Sequence, residues 1–248
     1  MKLVKKIFGE KNKSDREIDF AKLGEIFGRK IKNKNLFVEA ATHKSFSNEN
    51  RAGKVSHNER LEFLGDAVLE LITSQFLFEK FPRKPEGELT SIRSALVCGK
   101  NLARVAKKLN LGKFLFLSRG EAAAGGNKKN HILANVFEAF LGALFLDSNL
   151  QTCEKFLREN LLGATDQILR ENLHKDAKSL FQEIAQEKEK TTPHFKLLSA
   201  TGPDHEKKFL MGAFLGDQKV GEGSGSSKQK AETSAAAAAL KNLKWGKS

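Results

Sequence analysis

Between residues 21 and 173 apolar side chains recur mostly at three- and four-residue spacings, and β-branched runs are scarce. That periodicity predicts a set of helices, with examples over residues 61–81, 91–109 and 132–146. Phe81 ends the first of them, because a residue before proline, here Pro82, is pushed out of helical dihedrals. Residues 121–130, with a glycine pair among polar side chains, read as a loop. After about residue 175 the pattern changes. A helical segment over 177–187 precedes strand candidates at 194–200, 209–215 and 219–221, and a helix over 227–243 closes the chain. Gly202-Pro203 and Asp217-Gln218 supply turns, and the alanine run 235–239 is small enough to pack closely on a sheet. The expected organisation is a basic extension at 1–16, an all-α domain at 17–165, a linker at 166–175 and an α-β-β-β-α domain at 176–246.

Nineteen phenylalanines and 40% hydrophobic residues in 248 are enough for a buried core, which argues against wholesale disorder. The segment 132–146 is nearly uncharged but has only 15 residues, short of the roughly 20 that a membrane span needs, so it reads as a buried helix. The first 16 residues lack the apolar region of a signal peptide, which disfavours secretion. Cys98 and Cys153 stand far apart without a CxxC or histidine-rich context, so neither a zinc site nor a disulfide framework is suggested, and a reducing cytoplasm fits.

The chain carries a formal charge of +13, an excess that calls for a polyanion, either nucleic acid or an anionic membrane surface. No segment joins a basic face to a large continuous apolar one, which leaves the membrane surface little support. Residues 176–248 hold 12 lysines and no arginine. Lysine is a mobile point charge rather than a planar fork, so backbone binding is favoured over the reading of base edges.

Against that basic background, acids gather in Asn58-Glu-Arg-Leu-Glu-Phe-Leu-Gly-Asp-Ala-Val-Leu69. Glu59, Glu62 and Asp66 are spaced by three and four residues, which on a helix puts all three carboxylates on one side. They form either a solvated acidic face or a set whose repulsion a cation resolves. Glu138 sharpens the choice. It stands in a helix apolar nearly all round, where a carboxylate must be protonated, paired with a base or bound to a metal, and Asn135 adds an amide one turn earlier. Carboxylates without clustered thiols or imidazoles select Mg²⁺ or Mn²⁺, ions that hold water and phosphate oxygens and support hydrolysis.

These residues resemble bacterial ribonuclease III along nearly the whole chain. The 58–69 stretch is similar to that family's defining motif, preceded by Ala41-Thr-His-Lys-Ser45 and followed by Gly120-Glu, Gly125-Gly126 and Ile132-Leu-Ala. The tail resembles a double-stranded RNA-binding domain through Phe181-Gln-Glu183, Gly202-Pro-Asp-His205 and Gly221-Glu-Gly-Ser-Gly-Ser-Ser-Lys228. The resemblance implies an endonuclease that works as a homodimer with Mg²⁺ (Mn²⁺ as a substitute) and cuts both strands of duplex RNA. It implies 5′-phosphate products and processing of ribosomal, messenger and transfer RNA precursors. Glu62 matches a metal ligand, Asp66 and Glu138 match catalytic acids that also touch the metal, and Glu59 matches a further acidic position. Asn135 departs from the pattern, where the family usually has Asp; as a metal-site residue its amide can still offer a carbonyl oxygen or hold a coordinated water, so a working site with weaker metal affinity is expected, the alternative being a catalytically impaired RNA-binding protein with the same fold. Phe63 is a candidate either for the dimer interface or for the core.

In the tail, Gln182 and Glu183 match positions that touch one minor groove, and Gly202, Pro203 and His205 match the loop that enters the next. Ser227 or a neighbour is expected to cap the last helix, with Lys228 and Lys230 in its first turn. Lysines at the positive end of a helix dipole are unfavourable by themselves, and a phosphate partner compensates them.

Overall fold

The computed structural model describes residues 18–50, 55–203 and 206–245. The basic extension expected at 1–16 and the His205 contact therefore lie outside the described residues. The chain divides into two compact units between Thr165 and Asp166.

The first unit is built of helices α1 (Phe20–Ile26), α2 (Lys34–Ala41), α3 (Lys44–Glu49), α4 (Glu59–Lys80), α5 (Glu86–Val97), α6 (Gly99–Lys108), α7 (Arg119–Ala123), α8 (Asn130–Asp147) and α9 (Leu150–Asn160). Helix α8 is its axis. Twelve of its residues are buried, among them Ile132, Leu133, Val136, Phe137, Phe140 and Leu144, as its apolar circumference requires. Phe27, Phe37, Phe137, Phe140 and Phe156 pack with ring centroids 5.0 to 6.3 Å apart, and these contacts tie α2, α8 and α9 together. At the end of α8 the buried Asp147 gathers the chain between α1 and α2. Its carboxylate accepts from the Asn33 N–H at 2.6 Å and the Lys32 N–H at 3.2 Å, with Arg29 Nη2 at 3.6 Å.

Two expectations for this unit are corrected. Residues 91–109 are not one helix, because Cys98 is extended (φ −61°, ψ 145°) and separates α5 from α6. The Asn101 side-chain amide donates to the Leu96 carbonyl at 2.6 Å, which satisfies one of the backbone acceptors freed by the break. Residues 121–130 are not simply a loop either. Helix α7 runs into them, capped by Ser118, and a turn of 3₁₀ helix follows at Gly126–Lys128 after Gly125 has reversed the chain at φ +71°.

The boundary falls within the first turn of α10 (Thr165–Arg170), so the expected linker at 166–175 itself carries helix. Helix α11 (Ala177–Glu189) follows, capped by Asp176, which accepts from the Lys178 and Ser179 N–H groups. Strands β1 (His194–Thr201), β2 (Lys208–Leu215) and β3 (Gln218–Gly225) form an antiparallel sheet in the order β1-β2-β3, and α12 (Lys228–Asn242) closes the unit. The fold class is as expected, an all-helical unit followed by α-β-β-β-α. Phe181, Met211, Ala213, Val220 and the alanines at 231, 235, 236 and 239 make its core.

Strand β3 is longer than the three residues expected, and the reason is steric. A Cβ on Gly221, Gly223 or Gly225 would lie 2.5 Å from Ala239 N, 2.2 Å from Ala235 N and 2.6 Å from Ala231 N. Glycine at every second strand position thus meets alanine at every fourth helix position, and α12 lies directly on the backbone of β3. The tight turn also falls one residue earlier than expected, at Gly216-Asp217, since Leu215 pairs with Gln218 and Gly216 has φ +55°. Among the described residues no helix is long and apolar enough to cross a membrane.

Candidate functional site

Helices α4 and α8 cross in backbone contact. A Cβ on Gly142 would fall 2.3 Å from the Leu61 carbonyl oxygen, and one on Gly65 would fall closer still to α8. Only two glycines permit this approach, and it sets the acids of α4 beside the middle of α8. The electrostatics show which side chains share the space. Glu138 is half-buried, and desolvation together with the charges of Asp66, Glu62 and Glu70 pushes its carboxyl up to about 7. Burial also raises Glu62, opposed by a side-chain hydrogen bond from Asn135, with the charge of Glu59 adding to the rise. Glu62, Asp66 and Glu70 thus lie within electrostatic reach of Glu138, Asn135 within reach of Glu62, and Lys44 acts on Glu62 from the rim.

Glu59 belongs to the rim. It is exposed, accepts a hydrogen bond from Lys44 Nζ at 3.0 Å and has His57 Nδ1 at 3.6 Å, and the Lys44 bond holds its carboxyl below the usual range. The Asn135 amide favours the charged form of Glu62, which the negative charge of an aspartate there would oppose. Glu70, absent from the sequence-based set, extends the line one turn past Asp66. It is ion-paired with Arg93 Nε at 2.8 Å, and Arg93 also donates to Ser74 Oγ at 2.9 Å. The signal was the four-residue step from Glu62 to Asp66 continued to Glu70.

The segment 41–43 ties the start of α4 to the chain before α7 through the main chain. Phe116 N–H donates to the Ala41 carbonyl at 2.8 Å, His43 N–H donates to the Phe116 carbonyl at 3.1 Å, and Asn58 N–H donates to the Thr42 carbonyl at 2.9 Å. Near the start of α8, Lys129 Nζ donates to Glu121 Oε1 at 2.7 Å.

Phe63 is not a core residue, since it is 80% exposed on α4, and Phe78 on the same helix is 73% exposed. In the second unit Gln182 and Glu183 face solvent on α11, with Glu183 paired to Lys175. Gly202 (φ +94°) and Pro203 form an exposed turn after β1. Ser227 caps α12 by accepting from the Lys230 N–H at 3.2 Å, Lys228 and Lys230 are exposed, and the first turn of α12 holds no acid. Lys230 Nζ reaches Ser226 Oγ at 3.3 Å.

As donors, three carboxylates and an amide suit a hard cation. Among the described residues no three His, Cys, Asp or Glu side chains already stand at the spacing of a formed metal site.

Comparison with known proteins agrees with this division of the chain. Residues 33–165 match the family model described as ribonuclease-III-like, and residues 177–243 match the double-stranded RNA binding motif. Ribonuclease 3 of Desulforamulus reducens is 43% identical over 222 residues, covering 89% of this chain and 90% of that protein. Ribonuclease 3 of Bacillus cereus is 43% identical over 225 residues, covering 89% of each. Among solved structures, the nuclease domain of ribonuclease III from Campylobacter jejuni, studied for flexibility in a region involved in dimer formation, superposes with a TM-score of 0.53 at 40% identity. It covers 57% of this chain and 94% of that one. With both domain models matched in order and relatives aligned over nearly the full length, the chain belongs to the ribonuclease III family of endoribonucleases.

Proposed function

We propose that this chain hydrolyses double-stranded RNA with Mg²⁺, for which Mn²⁺ can substitute, and leaves 5′-phosphate ends in the maturation of ribosomal and other structured RNA precursors. The observation that carries the reading is the backbone contact at Gly65 and Gly142, which sets the helix of Glu62 and Asp66 against that of Glu138 in a basic chain. Glu62, Asp66 and Glu138 would hold the metal, which supplies charge stabilisation at the phosphate and a more acidic water. Asn135 would join them with its amide oxygen or hold a coordinated water, and Glu59 stays on the rim with Lys44. Glu138 and Asp66 are the acids on which the chemistry depends.

The second unit supplies the grip on the substrate. A-form RNA is recognised through its backbone and 2′-hydroxyls rather than its base edges. Gln182, Glu183, Gly202, Pro203 and His205 are assigned to the minor grooves, and Ser227, Lys228 and Lys230 to the phosphates between them. The exposed Phe63 supports a homodimer through α4, in which a two-fold axis presents one carboxylate site to each strand. The cytoplasm is the expected place of action, which suits the two free cysteines.

Incubating the full chain with long duplex RNA, with and without Mg²⁺, tests the reading. Metal-dependent shortening of both strands with 5′-phosphate ends is expected. Binding without cutting would favour an RNA-binding protein that has lost catalysis, a reading to which the neutral Asn135 lends its one support.

A further inference from the structure

His43 lies outside the carboxylate set, yet its ring is held by a short relay. The Ser45 N–H donates to His43 Nδ1 at 3.2 Å, and the Ser45 hydroxyl meets the same nitrogen at 2.8 Å. Ser45 Oγ in turn accepts from the Ser118 N–H at 3.2 Å. A hydroxyl oxygen engaged by that backbone donor turns its own hydrogen toward the imidazole. Two donors then converge on Nδ1, so the ring proton must sit on Nε2. Burial lowers the imidazole's affinity for a second proton, which favours the neutral ring.

The relay leaves Nε2–H as a donor with no hydrogen-bond partner among the described residues. Helix capping alone needs only Nδ1. The charges that act on the ring are mixed: Glu121 and Glu59 are each paired with a lysine, Lys129 and Lys44, while Lys44 itself and the exposed His131 add positive charge at its border. Glu59, the rim acid of the carboxylate site, acts on the same imidazole. Main-chain bonds from Ala41, Thr42 and His43 to Phe116 and Asn58 hold the ring's position relative to the start of α4.

We propose that His43 donates Nε2–H to a phosphate oxygen of duplex RNA at the rim of the carboxylate site. Ser45 and Ser118 are the positioning residues that set its tautomer. The inference rests on the nuclease reading above and adds a substrate contact from the first unit.

Asparagine and glutamine separate the two ends of the ring. Asn at position 43 keeps an acceptor near Nδ1 and caps a helix well, but it has nothing to offer at Nε2. Gln extends an amide N–H toward the Nε2 position. Steady-state cleavage of a labelled RNA duplex by the full chain with Mg²⁺ is expected to show KM raised about tenfold in His43→Asn, the worth of one hydrogen bond to a charged group. Its kcat should stay within about twofold, and His43→Gln should recover most of the KM. The ¹⁵N spectrum of the wild-type imidazole should show the Nε2–H tautomer, and Ser45→Ala should convert it to a mixture. A wild-type KM in His43→Asn, or an Nδ1–H tautomer in the wild type, overturns the proposal. Wild-type protein that binds the duplex without cutting it overturns the nuclease reading first, and this contact to a cleavable substrate with it.

Discussion

A Cβ atom on Gly65 would lie 1.8 Å from the carbonyl oxygen of Glu138, so the residue that brings α4 onto α8 touches the backbone of the acid at the centre of the site. Packing and chemistry meet at one crossing. Gly65→Ala is expected to cost about 3 kcal/mol or more by overpacking, read by chemical denaturation, and to weaken divalent-ion binding in whatever fraction stays folded. Gly87→Ala in α5, where no atom lies within 4 Å of the new methyl, should be neutral or slightly stabilising.

Glu138→Gln should abolish duplex cleavage while duplex binding stays near wild type, as judged by gel shift in parallel with product analysis. Retained cutting would remove Glu138 from the site.

The same residue predicts a pH dependence of stability in metal-free protein. Its carboxyl titrates near the ordinary 4.5 when unfolded and at about 7 when folded. Between those values the native state binds more protons, so stability is fully present below 4.5 and is lost as pH rises through about 7. Allowing for partial solvation, the loss is about 1 to 2 kcal/mol. Glu138→Gln should not share it, which melting curves from pH 4 to 8 would reveal, and added Mg²⁺ should reduce it in the wild type.

Asn135→Asp replaces a donor to Glu62 with a like charge. Without metal the variant should lose about 0.5 to 1 kcal/mol. Its half-saturating Mg²⁺ concentration should fall about tenfold, measured by calorimetry and by cleavage. An unchanged metal dependence would mean that position 135 does not reach the ion.

Replacing Lys228 and Lys230 together by alanine should weaken duplex binding about equally for all sequences. The slope of log affinity against log salt should become shallower by about two, because two phosphate contacts release fewer counterions.

Much of this was legible from spacing alone. The three-, four- and again four-residue steps from Glu59 to Glu70 needed only a helix to become a line of acids, and an acid inside an apolar helix announced Glu138. Partnership was harder to read. Arg93 neutralises Glu70 across α4 and α5, and Asp147 gathers the chain from Arg29 to Asn33 over more than a hundred residues of separation. Periodicity is a local signal and contains neither contact. The break at Cys98 was hidden for a related reason: apolar spacing continues through it, and an asparagine amide supplies the backbone satisfaction that normally marks a helix end. Glycine misled in β3, where it looked like loop composition and is instead the surface on which α12 rests.

That last contact sets rules for how this part of the chain can change. A side chain gained at Gly223 cannot be offset by trimming its neighbour, because the two nearest opposing atoms belong to the main chain of Ala235 and Ser234. Compensating pairs of substitutions are unavailable along the seam, and selection there acts on each position singly. A library randomising β3 and α12 together should return glycine at 221, 223 and 225 with little covariation, while the solvent-facing Glu222 and Ser224 between them drift freely.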